Sequence, residues 1–143
     1  MLKRLLLLGS ALLISGAIIL TWAIHRTNLW GTQIANLVLA RDYWTLLEEY
    51  YKTHHTYPET LALIQPDAPQ NWGPFGLDAW GHPFNYTTDG VHFRLISYGR
   101  DNTPDGVDYS AMVPAGREYR RICGEWNADQ VLTEHGFLSM CGK

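Results

Sequence analysis

The chain has 143 residues, with 11 Lys and Arg against 14 Asp and Glu and a formal net charge of −3. That length is one domain's worth with a modest core, and the charge balance excludes the broad basic surface that nucleic acid requires. Only 17% of residues are charged while 13% are aromatic, with six Trp and eight Tyr; a soluble domain carries about 25% charged residues, so this composition points to an apolar segment plus a small core built from large rings.

Met1-Leu2-Lys3-Arg4 is a short basic lead, and Leu5 to Ile24 follows as twenty residues without a charge. A helix rises about 1.5 Å per residue, so this run spans about 30 Å, the hydrocarbon thickness of a bilayer. One reading is a retained signal anchor, with Lys3 and Arg4 inside and the rest of the chain outside. Another is a cleaved signal peptide, although the apolar run is long and no Ala-x-Ala site precedes His25. Residues 1–26 are read as this anchor or signal segment and residues 27–143 as an exported globular domain.

Asn28 is a candidate helix cap, and Gly31 weakens the start of the next helix. Trp30, Ile34, Leu37, Val38, Trp44, Leu47 and Tyr51 recur at helical spacing, with Arg41, Asp42, Glu48, Glu49 and Lys52 mostly off that stripe. The pattern predicts an amphipathic helix over 32–52 whose apolar face packs on a sheet. Trp22 and Trp30 suit a membrane–water boundary, where indole is favoured; core packing suits Trp30 equally well. His54 and His55 are adjacent and lack a third ligand nearby, which argues against a metal. Tyr57-Pro58 closes a turn, and Glu59 to Ile64 suggests a short second helix. Pro66, Pro69, Gly73, Pro74 and Gly76 make the next stretch an irregular loop, which Trp72 and Phe75 pin to the domain.

Asp78-Ala79-Trp80-Gly81-His82-Pro83-Phe84-Asn85-Tyr86 reads as a tight turn entering a strand. Gly81 permits a backbone turn that a Cβ resists, and Pro83 restricts His82 to extended conformations. Thr87-Thr88-Asp89-Gly90 is a hairpin signal. The sheet is expected to include Phe84 to Thr87 and Val91 to Tyr98, with Val91, Phe93, Leu95 and Ser97 on one face and His92, Arg94, Ile96 and Tyr98 on the other. The strand ends at Gly99. The loop Asp101-Asn102-Thr103-Pro104-Asp105-Gly106-Val107-Asp108 then supplies carboxylates and carbonyls at short intervals, the oxygen donors that a hard cation such as calcium takes in sixes to eights. An acidic turn chosen for backbone reasons explains the same residues, and the register is not that of an EF-hand.

Cys123 and Cys141 are the two cysteines. In an exported domain they face an oxidising space, and a disulfide between them closes a tail, 117–143, with a gain of about 3 kcal/mol on the chain-entropy model. Metal ligation and thiol catalysis lack the required spacing and partners. Within the tail, Asn127 to Leu132 reads as the start of a short helix with Gly136 as its end. Arg117, Arg120 and Arg121 read as a solvated surface cluster. No nucleophile elbow, phosphate loop or His-Glu-x-x-His motif is present in the sequence, so nothing here prefers an enzyme.

Three pieces in order, Tyr50 with Thr56-Tyr57-Pro58, then Asp78 to Tyr86, then Ser97 to Asp108, resemble the globular domain of the type II secretion major pseudopilin, the G subunit, and related type IV pilin-like proteins. The resemblance runs from about Thr32 to Ser110, and Tyr57, Pro58, Asp78, Trp80, Gly81, Pro83, Tyr86 and Gly99 carry its structural motif. It implies an α+β, type IV pilin-like fold in which a long N-terminal helix packs on a small antiparallel sheet. It also implies a structural component of a type II secretion or type IV pilus-like machine, working by assembly with other pseudopilins and held in the inner membrane by residues 5–24, single pass, with the domain in the periplasm. The resembling proteins bind calcium in the acidic loop, which brings Asp101 and Asp108 forward as ligands, with Asp105 compensating where a later family Asp is Ser110. The resemblance adds a third reading of the N-terminus, a pilin helix cut by a prepilin peptidase. The family's processing glycine is followed by Phe or Met, with Glu fifth after the cut. Neither Gly9 nor Gly16 is followed in that way, and no acidic residue precedes Asp42. A retained anchor is therefore preferred, and a stand-alone, membrane-anchored periplasmic binding domain that does not polymerise stays open as the alternative.

Overall fold

The computed structural model describes residues 2–70, 72–109 and 126–138, with side chains from residue 15 onward. The chain divides into two compact units, Met1–Thr32 and Gln33–Lys143. A single helix, α1, runs over Leu2–His54. Neither expected interruption stops it. Gly31 sits in open space, and the Asn28 carbonyl accepts the Thr32 hydroxyl at 3.1 Å.

In the first unit, Ile18, Ile19, Leu20, Trp22 and Ile24 are all more than half exposed. Successive helical residues turn by about 100°, so apolar surface faces outward on several sides. Thr21 and Thr27 return their hydroxyls to the carbonyls of Ala17 and Ala23, at 2.8 and 2.9 Å, and present little polarity of their own. Among the described residues no helix is long and apolar enough to cross a membrane. The side chains of residues 5–14, the first half of the expected span, lie outside that description.

In the second unit, α1 from Gln33 onward packs against a four-stranded sheet. The strands are β1 (Asn85–Thr88), β2 (Phe93–Ser97), β3 (Gln130–Thr133) and β4 (Gly136–Phe137), in the order β1-β2-β3-β4 with every pairing antiparallel. Register aligns Tyr86 with Leu95, Leu95 with Leu132 and Leu132 with Phe137. These four lie on the helix-facing side, in one core with Ala40, Tyr43, Leu46, Leu47, Tyr57, Ile64, Phe84 and Phe93. Strand alternation sends Ile96 and Val131 to the opposite face, where Leu138, Tyr98 and Tyr109 cover them.

The helix buries only part of the face that its apolar spacing predicts: Leu47 is buried, and Leu37, Trp44 and Tyr51 pack against the core. Ile34 and Val38 are 46% and 54% exposed, while Gln33 and Asn36 are 2% and 0% exposed. The reason is a specific bridge. Asn36 donates from Nδ2 to Gln130 Oε1 at 2.8 Å and accepts the Ala79 N–H on Oδ1 at 2.9 Å. A buried amide satisfied on both sides is tolerated in a core, so Asn36 shares the packing side of the helix with Ala40 and Tyr43. Tyr43 then centres the aromatic packing, with the rings of Trp72 and Phe75 each 5.1 Å away and Phe84 at 5.2 Å. Its hydroxyl accepts the Gly76 N–H at 2.6 Å, so Trp72 and Phe75 do pin the irregular loop. The short second helix is a 3-10 helix over Leu61–Asp67.

The tail departs from expectation. Asn127 to Leu132 is not a helix, because Gln130–Thr133 forms β3 beside β2 and turns through Glu134-His135 into β4. Pairing with β2 satisfies the backbone there and buries Val131 and Leu132 on opposite faces, which overrides a weak local helical preference. Cys123, Cys141 and the arginine cluster lie outside the described residues.

Candidate cation site and the turn beneath it

Asp78 organises the turn before β1. Its side chain is buried, with Oδ1 accepting the N–H groups of Trp80 at 2.9 Å and His82 at 2.8 Å. Oδ2 accepts the Ser97 hydroxyl at 2.6 Å. The Asp78 backbone N–H donates to the His82 carbonyl at 2.7 Å, and Gly81 closes the turn with φ +86°. Asp at this place is the residue that mimics a backbone turn with its own carboxylate. Leu77 bridges to Pro83, which hands the chain to Phe84 and β1. Tyr57 and Pro58 lie at the other end of the sheet. The Tyr57 hydroxyl donates to Glu48 at 2.6 Å, and the Pro58 carbonyl accepts the Tyr86 hydroxyl at 2.9 Å. Asp78 thus ties β1's entry to the end of β2.

The Asp78–Ser97 contact also aims the next loop. Ser97 Oγ accepts the Gly99 N–H at 3.3 Å, and the Gly99 carbonyl lies 3.2 Å from His82 Nδ1. Gly99 has φ +68°, and a Cβ there would stand 2.8 Å from the Asn127 carbonyl carbon. Only glycine lets β2's end pass so close to the start of β3. Arg100 N–H then donates to the Trp126 carbonyl at 3.0 Å.

Beyond it, the acidic loop meets residues that the sequence reading did not select. Asp105 and Asp129 hold each other: the Asp105 N–H donates to Asp129 Oδ2, and the Asp129 N–H donates to Asp105 Oδ2, both at 3.0 Å. The Tyr109 hydroxyl also donates to Asp129 Oδ2. Asp129 is 0% exposed, and its other oxygen, Oδ1, is buried without a hydrogen-bond partner. Burial pushes the Asp129 carboxyl up from its ordinary value, and the negative charges of Asp105 and Asp101 add to that against the donors from Tyr109 and the Asp105 backbone. Burial, then the bond to Asp129, raises the Tyr109 phenol as well.

Asp101, Asp105 and Asp108 are themselves exposed. Asp101 accepts the Thr103 N–H at 3.3 Å, the turn chemistry of the acidic-loop alternative. Among the described residues, no three His, Cys, Asp or Glu side chains gather as a metal-holding group. A hard cation draws equally on backbone carbonyls and water, and the buried, unsatisfied Asp129 Oδ1 fits such an ion. One signal pointed to the missed residues. Gln130-Val131-Leu132-Thr133 is a short apolar run closed by Glu134-His135-Gly136, which marks a strand with Asp129 at its entrance.

A shallow cleft of about 370 Å³ lies across the other end of the sheet, lined by Thr88, Asp89, His92, Arg94, Thr133 and Glu134 among others. Its carboxylates are engaged in the hairpins: Asp89 accepts the Val91 and His92 N–H groups, and Glu134 accepts that of Phe93.

The family model for type II secretion system protein G matches residues 30–115. No curated protein and no solved structure matches the chain. The matched segment takes in the packing half of α1, the Asp78 turn, β1, β2 and the acidic loop. With the pilin-like helix on an antiparallel sheet, the chain belongs to the family of type II secretion system protein G, the major pseudopilin.

Proposed function

We propose that this chain is a structural subunit of a type II secretion, or type IV pilus-like, machine, working by protein–protein assembly outside the inner membrane. The family match over residues 30–115 carries this reading. The helix supports it, since Ile34 and Val38 stand one turn apart and exposed, a place for a neighbouring helix to pack. Leu5 to Ile24 is the anchor in this reading, twenty uncharged residues behind Lys3 and Arg4. Calcium stiffens the acidic loop with oxygens from Asp101, Asp105 and Asp108, and a Cys123–Cys141 disulfide clamps the tail.

One observation favours a second reading. No glycine of the N-terminal segment is followed by a Glu in the position that pseudopilin assembly uses, and no acidic residue precedes Asp42. A retained anchor carrying a stand-alone periplasmic binding domain satisfies that sequence without polymerising.

The test is photo-crosslinking in native membranes, with the reactive residue placed at position 34 or 38. Adducts to a second copy or to other pseudopilins are the expected result. A chain that stays monomeric beside an assembled secretion machine overturns the assembly reading and leaves the second. Intact mass without reductant addresses anchor and bridge together, since the whole chain less two hydrogens is expected.

A further inference from the structure

We propose that the cleft at the hairpin end of the sheet is a docking site for an acidic segment of a different, partner protein, with Arg94 receiving a side-chain carboxylate and His92 and Thr87 donating beside it. The proposal goes beyond either reading of the chain's role, since an assembling subunit and a stand-alone binding domain both meet partners.

The argument is an account of donors and acceptors in the cleft of about 370 Å³. Its acceptors are used within the fold. Asp89 Oδ1 takes the Val91 and His92 N–H groups at 2.9 and 2.7 Å, and Oδ2 faces His92 Nδ1 at 3.1 Å. Glu134 takes the Phe93 N–H at 3.2 Å on one oxygen and lies 3.4 Å from His135 Nε2 with the other. The Thr88 hydroxyl accepts the Gly90 N–H and donates to the His92 carbonyl. The Thr133 hydroxyl accepts the His135 N–H and donates to the Gly136 carbonyl.

The donors of the cleft stand differently. Arg94 is half-buried, and among the described residues no carboxylate pairs with it. Its guanidinium carbon lies 5.8 Å from the centre of the Tyr109 ring. Arg offers five N–H donors in a planar fork and no acceptor. Thr87 and Thr133 flank Arg94 in register, and Thr87 is exposed on the edge strand. His92 turns Nδ1 toward Asp89, which leaves Nε2 as a further donor.

What completes this cleft is therefore rich in acceptors, and a guanidinium fork matches a planar carboxylate with two parallel bonds. Asp89 and Glu134 line the same cleft and repel a dense polyanion, so a single carboxylate on a polypeptide fits better than a chain of phosphates. The cleft is shallow and crosses three strands, whereas a small-molecule site encloses most of its ligand. Asp89 acts as a positioning residue, since its hydrogen bond and charge, with Glu134 adding less, hold the His92 imidazole protonated above its ordinary 6.5.

The experiment titrates the full isotope-labelled chain in detergent with a Gly-Glu-Gly-Glu-Gly peptide blocked at both ends, following the Arg94 Nε–H and His92 ring signals by NMR. Wild type is expected to shift both saturably, and to bind less well as pH rises through the His92 value. Arg94→Gln is expected to weaken binding by about tenfold or more, the loss of a charge-assisted pair. Arg94→Lys should regain only part, because a point charge replaces the fork. Arg41→Gln removes a positive charge from an exposed place on α1 and is expected to bind as wild type; an equal loss there reduces the effect to net charge and overturns the site. A Gln-for-Glu peptide that binds as well as the Glu peptide overturns the carboxylate. Inorganic phosphate that moves the same signals while the peptide does not overturns the protein partner. If sedimentation finds wild type dimeric and Arg94→Gln monomeric, the carboxylate comes from a second copy and the different partner falls. Should Arg94→Gln fail to fold, the wild-type Arg94 signal decides, and one that the peptide leaves unmoved overturns the placement.

Discussion

Replacing Asp78 by Ala removes an acceptor that three donors share. Two are backbone N–H groups, of Trp80 and His82, in half-buried positions. The third is the Ser97 hydroxyl, on a residue 1% exposed. Water reaches the half-buried pair in part, so each is taken at about 1 kcal/mol, the low end for an orphaned donor. Ser97 has no route to water and takes about 2 kcal/mol. The sum is about 4 kcal/mol, which belongs to the tail of single-substitution effects. Asp78→Asn keeps an acceptor for the two N–H groups and exchanges charged for neutral hydrogen bonds, so about 1–2 kcal/mol is expected. Urea unfolding of the full chain, followed by tryptophan fluorescence, measures both. With a slope of about 2 kcal/mol/M, the Ala midpoint falls by about 2 M and the Asn midpoint by about 0.5–1 M. Ser97→Ala added to Asp78→Ala should cost little more, since the contact is already gone. An Ala variant no less stable than the Asn variant would refute the reasoning, because the turn would then hold without its carboxylate.

Gly99→Ala meets the Asn127 backbone at 2.8 Å in a left-handed conformation and is expected to cost about 3 kcal/mol. Gly106→Ala, at the same φ of +68° but in open space, should cost about 1 kcal/mol, and equal melting points for the two would contradict the close approach. In the β1–β2 hairpin, the His92 backbone N–H, then its ring and the Val91 N–H, hold Asp89 down at about 2, while Asp89 raises His92 above its ordinary 6.5. The raised imidazole adds stability below about pH 6.5 that is lost as pH rises through its folded value, and the depressed carboxyl adds stability above about pH 4 that is lost as pH falls toward 2. An NMR titration checks this: Asp89→Asn is expected to return His92 to its ordinary value. Ending the chain at residue 115 removes β3 and β4, taking Leu132 and Phe137 from one core and Val131 and Leu138 from the other; size-exclusion and amide exchange should find it aggregated or unfolded, and a protected, monomeric product contradicts the four-stranded core.

How far the sequence carried depended on whether the partners were near in the chain. The Asp78 turn, the Asp89-Gly90 hairpin and the alternation of β2 are local. Their chemistry is written within a few residues of each carboxylate or glycine, so their positions were legible in advance. The polar part of the buried face of α1 was not. Asn36 is satisfied by Ala79 and by Gln130, which is 94 residues away, and no helical period reveals a partner at that distance. Counting apolar residues therefore puts Ile34 and Val38 on the packing stripe and does not select Gln33 or Asn36.

The tail was misread for a related reason. Asn127 to Leu132 offers cap-like residues followed by apolar ones, which fits a helix start until β2 supplies an unpaired edge. The same strand brings in Val131 for one core, Leu132 for the other, and Asp129 for the acidic loop. The family segment alone has a helix, two strands and a carboxylate loop, yet its sheet is two strands wide and its loop meets nothing buried. A hairpin on its own is marginal in water, and an acidic loop on its own is a solvated turn. Both acquire definition from the same short stretch, Asp129 to Leu138. The loop residues read as ligands from sequence are exposed, and the buried carboxylate beside them belongs to the strand that finishes the sheet. The stability of the sheet and the order of the loop are therefore expected to rise and fall together, because both rest on one residue pair, Asp105 and Asp129, rather than on two independent devices.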